Sequence, residues 1–419
     1  MKALLAALMI FAASPALATN YYISPTATST ACTQANPCSV SVALAKPLAA
    51  GDTIFANDGT YYSPNNYWLD MTKAGNSTAP IVWRSLNKWG ATIDGRASLS
   101  QNGIRISNNN VRIENFEIKD FHETGIVNNA DSSVIKGNWI HGIGRMVCDN
   151  SGTGKDGIYA YPRIDVTIDG NLIHDIGRLR RGEIRDGAGC DAGCTVDSCG
   201  HHLGPQPATC DSSCYHFNDQ GIYCGGTRLS IINNIIYDVR TGWQIQLRTG
   251  TSYDVKIWGN TLVGNIVYGD QPGAIVVDVG VYGLSVRNNI FAKLGRATGW
   301  TSCAGGPTYT TTLVKATGTN WIHGAEFYNN VADTLVNALC CYAQTDPMCS
   351  FGNSFAVQGL GFTSFAFTLG SVVGTPDFHL LSSSPAFNFG VETPGVTTDY
   401  DLVTRPKYGA YDAGALERP

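Results

Sequence analysis

One short phrase recurs along this chain, and no other feature restricts its fold as much. It reads Gly137-Asn138-Trp139-Ile140-His141, then Gly170-Asn171-Leu172-Ile173-His174, Asn233-Asn234-Ile235-Ile236-Tyr237, Gly259-Asn260-Thr261-Leu262-Val263 and Asn288-Asn289-Ile290-Phe291. From Asn138 to Asn289 the recurring asparagines are spaced by 33, 63, 26 and 29 residues. A unit about as long as the shortest interval, lengthened by insertions, accounts for all four. A short alternating segment precedes each phrase, such as Val166-Thr167-Ile168 or Leu284-Ser285-Val286. Before that comes a second phrase: Gly103-Ile104, Gly125-Ile126, Gly157-Ile158, Gly221-Ile222.

Three short strands per unit, stacked at about 4.8 Å, predict an all-β chain wound as a right-handed parallel β-helix. In such a solenoid the recurring asparagines turn inward and bond to the coils above and below. Asn138, Asn171, Asn234, Asn260 and Asn289 are therefore expected in one ladder. A β-sandwich would instead need hairpin turns every 8–12 residues or so, which the pattern does not supply.

Composition agrees. Hydrophobic residues make up 43% of the 419, enough for a long core, while only 15% are charged. The net charge is −5 and no basic run exceeds Arg180-Arg181, so nucleic acid is not an expected partner. Lys2, the apolar run from Ala3 to Ala13 and Ala16-Leu17-Ala18 read as a cleaved signal peptide over residues 1–18. No later segment reaches the length of a membrane span. The mature chain is expected to be secreted or periplasmic, monomeric and off the membrane, and thirteen cysteines suit that compartment.

These repeats resemble those of the pectate-lyase-like superfamily of secreted β-helix proteins. Tyr21-Tyr22-Ile23-Ser24-Pro25, Ala50-Gly51-Asp52-Thr53-Ile54 and Gly59-Thr60-Tyr61 are similar to its opening segment. Asp377-Phe378-His379-Leu380, Ser384-Pro385-Ala386 and Asp412-Ala413-Gly414-Ala415 are similar to its closing one. The resemblance implies one domain over 19–419, with an N-terminal cap at about 19–100 and a closing segment at about 375–419. It also implies a polysaccharide or glycan partner. The chain carries neither the paired-Asp and Gly-His-Gly signature of β-helix polygalacturonases nor the Trp-x-Asp-His and Arg-x-Pro-x-x-Arg signatures of many pectate lyases.

Two insertions, at 144–155 and 177–218, leave the stack at one corner, between the Asn phrase and the next Gly-Ile phrase. Loops gathered on one flank of a solenoid build a cleft. The longer insertion holds Cys190, Cys194, Cys199, Cys210 and Cys214, with Cys224 just after it. In a secreted loop these are expected as disulfides, with Cys148 a further candidate, rather than as a metal site with His201, His202 and His216. Cys32 and Cys38 are expected to pair locally. Cys303, Cys340, Cys341 and Cys349 form a third group, and the odd total leaves one thiol over.

Outward positions beside this corner supply the candidate chemistry. A lyase removes the proton alpha to a uronate carboxylate, which needs a neutralising partner and a base. His174 or Lys155 would be the base, Arg248 would face the carboxylate, and Tyr159 or Tyr223 would donate a proton. His141, Asp156, Tyr161, Asp219, Gln246 and Asp278 would bind sugar. Asp156, Asp175 and Asp219 are the residues that would hold calcium, if it is used. The expectation is a carbohydrate-active enzyme cleaving an acidic polysaccharide by β-elimination. A glycoside hydrolase using Asp156 and Asp219, a non-catalytic glycan- or surface-binding solenoid and a metal-handling protein are the alternatives.

Overall fold

The structure is a computed structural model. It describes residues 18–62, 67–96, 101–144, 153–177, 184–185, 188–189, 219–239, 242–248, 250–264, 274–277, 280–293, 311–316, 322–333, 336–340, 350–352, 355–357, 359–368 and 371–418. The expected signal peptide, Asp278, nearly all of the 177–218 insertion and its five cysteines lie outside the described residues.

Each coil contributes one strand to each of three parallel sheets. In one coil, Thr124–Asn128 belongs to sheet one, Val134–Lys136 to sheet two and Trp139–His141 to sheet three. Among the described residues sheet one runs from Tyr67–Met71 to Val336–Cys340, and sheet two from Asn20–Ile23 to Ser350–Gly352. Sheet three runs from Gly59–Tyr62 to Phe355–Ala356. The right-handed parallel β-helix is thus the fold.

The recurring phrases now have physical causes. Between sheets two and three the chain turns through Gly137, Gly170, Asn233, Gly259, Asn288 and Asn329, all with φ between 52° and 65°. Only Gly and, at modest cost, Asn adopt this left-handed conformation routinely. The next residue is the ladder asparagine. Asn138 donates its main-chain and side-chain N–H groups to Asn171 Oδ1 at 3.0 and 3.1 Å. Asn171 does the same to Asn234, Asn234 to Asn260, Asn260 to Asn289 and Asn289 to Asn330. Every ladder amide is buried and satisfied.

In the Gly-Ile phrase the isoleucine fills the core. Ile104, Ile126, Ile158, Ile222, Ile245 and Ile275 stack at 0% exposure, each side chain contributing roughly 1.5–3 kcal/mol of burial. The glycine is there for space. A Cβ on Gly125, Gly157 or Gly221 would lie 2.6–2.7 Å from a carbonyl oxygen of the following coil.

Parallel stacking begins at Asn20–Ile23, which pairs with Thr53–Ala56, so the strands from residue 53 onward are already coils. The cap is the short helix Val40–Leu44, N-capped by Ser39, whose Val40, Val42 and Leu44 close the core's open end. It is shorter than the sequence led us to expect. Cys32 and Cys38 form a disulfide beside it, as expected. Cys224 differs from expectation: it is a free thiol, inward-facing in sheet one and fully buried, and burial pushes its pKa up to about 12. Its side chain fills the core column between Ala160 and Leu247 and so points away from the insertion.

At the C-terminal end the hairpin Phe362–Thr368 and Ser371–Leu380 leads into a segment that runs back along the outside of sheet three. Leu360, Phe378, Ala386, Ala413, Ala415 and Leu416 form a second core there with Ile235, Val263, Ile290 and Val331. His379 clamps this segment, its Nδ1 2.5 Å from Asp377 Oδ1 and its Nε2 2.8 Å from Asp401 Oδ2. Burial opposes its charge, but the two carboxylates outweigh burial and raise its pKa above 6.5. A raised folded pKa gives stability that is complete below the unfolded value and lost as pH rises through the folded one. The melting temperature should therefore fall as pH is raised through and above 6.5, and His379→Gln should flatten that slope in a pH-resolved melting series.

Candidate active site

The outward face of sheet one carries the candidate site. In register, Asp70, Arg105, Val127, Tyr159, Tyr223, Gln246 and Val276 form one column on successive strands. One column nearer the corner stand Tyr67, Asn102, Thr124 and Asp156. Between them lies an open groove of about 460 Å³, lined by Tyr67, Asn102, Glu123, Thr124, Val127, Asp156, Tyr159, Tyr223 and Arg248. Thr153 and Gly154, the end of the shorter insertion, form part of its rim.

Of the residues expected at the site, Asp156, Tyr159, Tyr223 and Arg248 share this groove. Tyr159 and Tyr223 stack with ring centroids 5.3 Å apart, and Tyr161 meets both edge-on at 6.4 and 6.0 Å. Tyr161 lies over Gly225, where a Cβ would come 3.2 Å from its ring. Burial, with Asp156 and Tyr161 nearby, raises the Tyr159 pKa. Burial pushes Tyr223 up to about 12 although Arg248 pulls the other way. Both phenols therefore hold their protons at working pH and can donate them. Arg248 lines the groove on the far side of Tyr223, and among the described residues no ion pair is found for it. Gln246 is buried in the column beyond Tyr223.

Lys155 and Asp219 stand directly behind the groove. Counting back one residue from the Thr124–Asp156 pair puts Glu123 beside Lys155. Lys155 Nζ is 3.9 Å from Glu123 Oε1, and its amide donates to Asp219 Oδ1 at 3.0 Å. Lys155 is 2% exposed and Asp219 0%. The fully buried Asp219 does not line the groove, so the carboxylate sharing it with Asp156 is Glu123. Sequence reasoning missed Glu123. The signal was present: Gln101, Glu123, Lys155 and Asp219 each stand two residues before a Gly-Ile phrase.

The histidines lie elsewhere. His141 and His174 pair in register on sheet three, around the corner from the tyrosines. His174 stacks on Tyr237 at 4.6 Å and on His141 at 5.2 Å, and its Nε2 accepts the Trp139 indole N–H at 2.7 Å. His141 Nε2 is 2.9 Å from Glu117 Oε1. Asp175, with φ 56°, occupies the left-handed turn position that Asp120, Gly142 and Asp238 fill in other coils. That column is a turn column.

Among the described residues no three His, Cys, Asp or Glu side chains are grouped to hold a metal ion. Asp156 Oδ1 accepts the Gln220 amide at 3.3 Å and Asp219 that of Lys155, while Asp175 lies on another edge. This donor set does not fit a calcium cage, and no step below runs through calcium.

No family model matches the chain, and no curated protein matches it. Solved structures do. Pectate lyase Pel9A is 15% identical with a TM-score of 0.52, covering 96% of each chain. A rhamnogalacturonan lyase is 13% identical with a TM-score of 0.44, over 87% of this chain and 97% of that one. The fold shared with Pel9A is the right-handed parallel β-helix. A fold of this kind hosts more than one activity, so function has to be argued from the groove.

Proposed function

We propose that this protein is a secreted polysaccharide lyase that cleaves a uronate-containing chain by β-elimination in the sheet-one groove. The observation that carries the reading is the convergence of Arg248, the stacked Tyr159–Tyr223 pair and Asp156 on one groove beneath the insertion corner. Arg248 would neutralise the uronate carboxylate and acidify the neighbouring C–H. The Glu123 carboxylate, which lines the groove, would take that proton, while Lys155, buried behind it and named as a base from the sequence, would position Glu123 rather than touch the sugar. As the carbon–oxygen bond to the leaving sugar breaks and a carbon–carbon double bond forms, Tyr223 or Tyr159 would protonate the leaving oxygen. The base then gives the proton taken from carbon to water, and the phenol is reprotonated from water, so both groups return to their starting states. His174, which the sequence suggested as base, is engaged by Trp139 and stands outside this scheme. The disulfide Cys32–Cys38 supports an oxidising, extracytoplasmic compartment.

Glu123 and Asp156 sharing the groove favour one second reading, hydrolysis by two carboxylates. Incubation with polygalacturonate, rhamnogalacturonan and alginate, with and without a calcium chelator, separates the two. The lyase releases products with the ultraviolet absorbance of an unsaturated uronate. New reducing ends without that absorbance would establish a hydrolase, and binding without cleavage a glycan-binding solenoid.

A further inference from the structure

A second groove, of about 600 Å³, runs along the outward face of sheet two. Its floor is Thr167, Ser230, Lys256, Ser285 and Glu326, one residue from each of five successive strands. At about 4.8 Å per strand it spans roughly 19 Å. Beside it, on the turn from sheet one, Thr227, Tyr253, Tyr282 and His323 stand in register. Tyr253 stacks on Tyr282 at 5.3 Å and Tyr282 on His323 at 4.4 Å. The two tyrosines are 44% and 42% exposed, so this stacked column is open to solvent beside the groove.

This groove is polar in a particular way. Trp258 donates its indole N–H to Ser285 Oγ at 2.8 Å, and Lys256 Nζ lies 4.9 Å over the same ring. Arg228 is locked onto Asp165 by two bonds of 2.6 and 2.7 Å. The lining sets three carboxylates, Asp165, Asp254 and Glu326, against two cations, Arg228 and Lys256. Arg287 pairs with Glu326 as Arg228 does with Asp165, so the surface has little net charge to hold a polyanion but offers donors and acceptors to hydroxyl groups. Its repeat, one coil per step, suits a polymer of similar step length, as an extended pyranose chain has.

We propose that the sheet-two groove and its tyrosine column bind an uncharged glycan chain, separately from the sheet-one groove. Two grooves on adjacent faces, one lined by Arg248 and the other of little net charge, would hold acidic and neutral chains of a mixed polysaccharide together. Affinity electrophoresis of the full chain in gels containing xylan, glucomannan, starch or polygalacturonate tests this. The parent should be retarded by at least one neutral glycan. The Tyr253→Ala/Tyr282→Ala double variant should bind it at least tenfold more weakly with an unchanged melting temperature, and Ser230→Met, which fills the floor, should do the same. Arg248→Ala, in the other groove, should bind the neutral glycan like the parent, whatever the activity of that groove proves to be. Retardation by polygalacturonate alone, or equal neutral-glycan binding by both sheet-two variants, overturns the proposal.

Discussion

Replacing Asn171 by Leu should lower the stability of the solenoid by about 2–5 kcal/mol, read as a reduced urea midpoint. The side chain is of similar size, so packing is not the issue. Asn171 Oδ1 accepts two N–H groups from Asn138, at 3.0 and 3.1 Å, and both would be stranded at 0% exposure. Its Nδ2 also serves the Ile135 carbonyl at 3.0 Å and Asn234 Oδ1 at 2.9 Å. Each buried polar group left without a partner costs about 1–3 kcal/mol, and water has no route to an inward turn inside the stack. An unchanged midpoint would mean that the ladder is incidental to the fold.

Arg248→Ala should reduce turnover of the uronate polymer by about 10²–10³-fold, the usual cost of removing one group that stabilises developing charge. Arg248 lines the open groove rather than the core, so its truncation leaves the solenoid's packing in place and the melting temperature should hold. Tyr223→Phe should act in the same direction by deleting one of the two phenols proposed to donate the proton while leaving the ring stack intact. Turnover equal to that of the parent in both variants would move the chemistry out of this groove.

The sequence made the inside of the molecule legible because the inside repeats. An Asn phrase and a Gly-Ile phrase are demanded at each coil by a left-handed turn and by the lack of room for a Cβ, so their spacing reported the winding directly. Part of the groove was legible for the same reason: Tyr159, Tyr223 and Asp156 hold fixed offsets from Gly-Ile. What could not be read was the angle between faces. His174 and Tyr159 belong to one coil, but a corner separates sheet three from sheet one, and nothing local shows that Trp139 occupies His174. Asp175 looked like a ligand because an aspartate in a left-handed turn and an aspartate on a metal are the same letter. The return of the closing segment along sheet three was hidden because Ala413 and Leu416 meet Ile290 and Val331 only through tertiary packing.

A crystal structure of the Tyr223→Phe protein with a bound uronate oligosaccharide tests the central claim most directly. The account predicts sugar lying in the groove between Tyr67 and Arg248, with a carboxylate on the Arg248 guanidinium and the glycosidic oxygen facing the Tyr159–Phe pair. An oligosaccharide seated instead on sheet three, against His141 and His174, would contradict it.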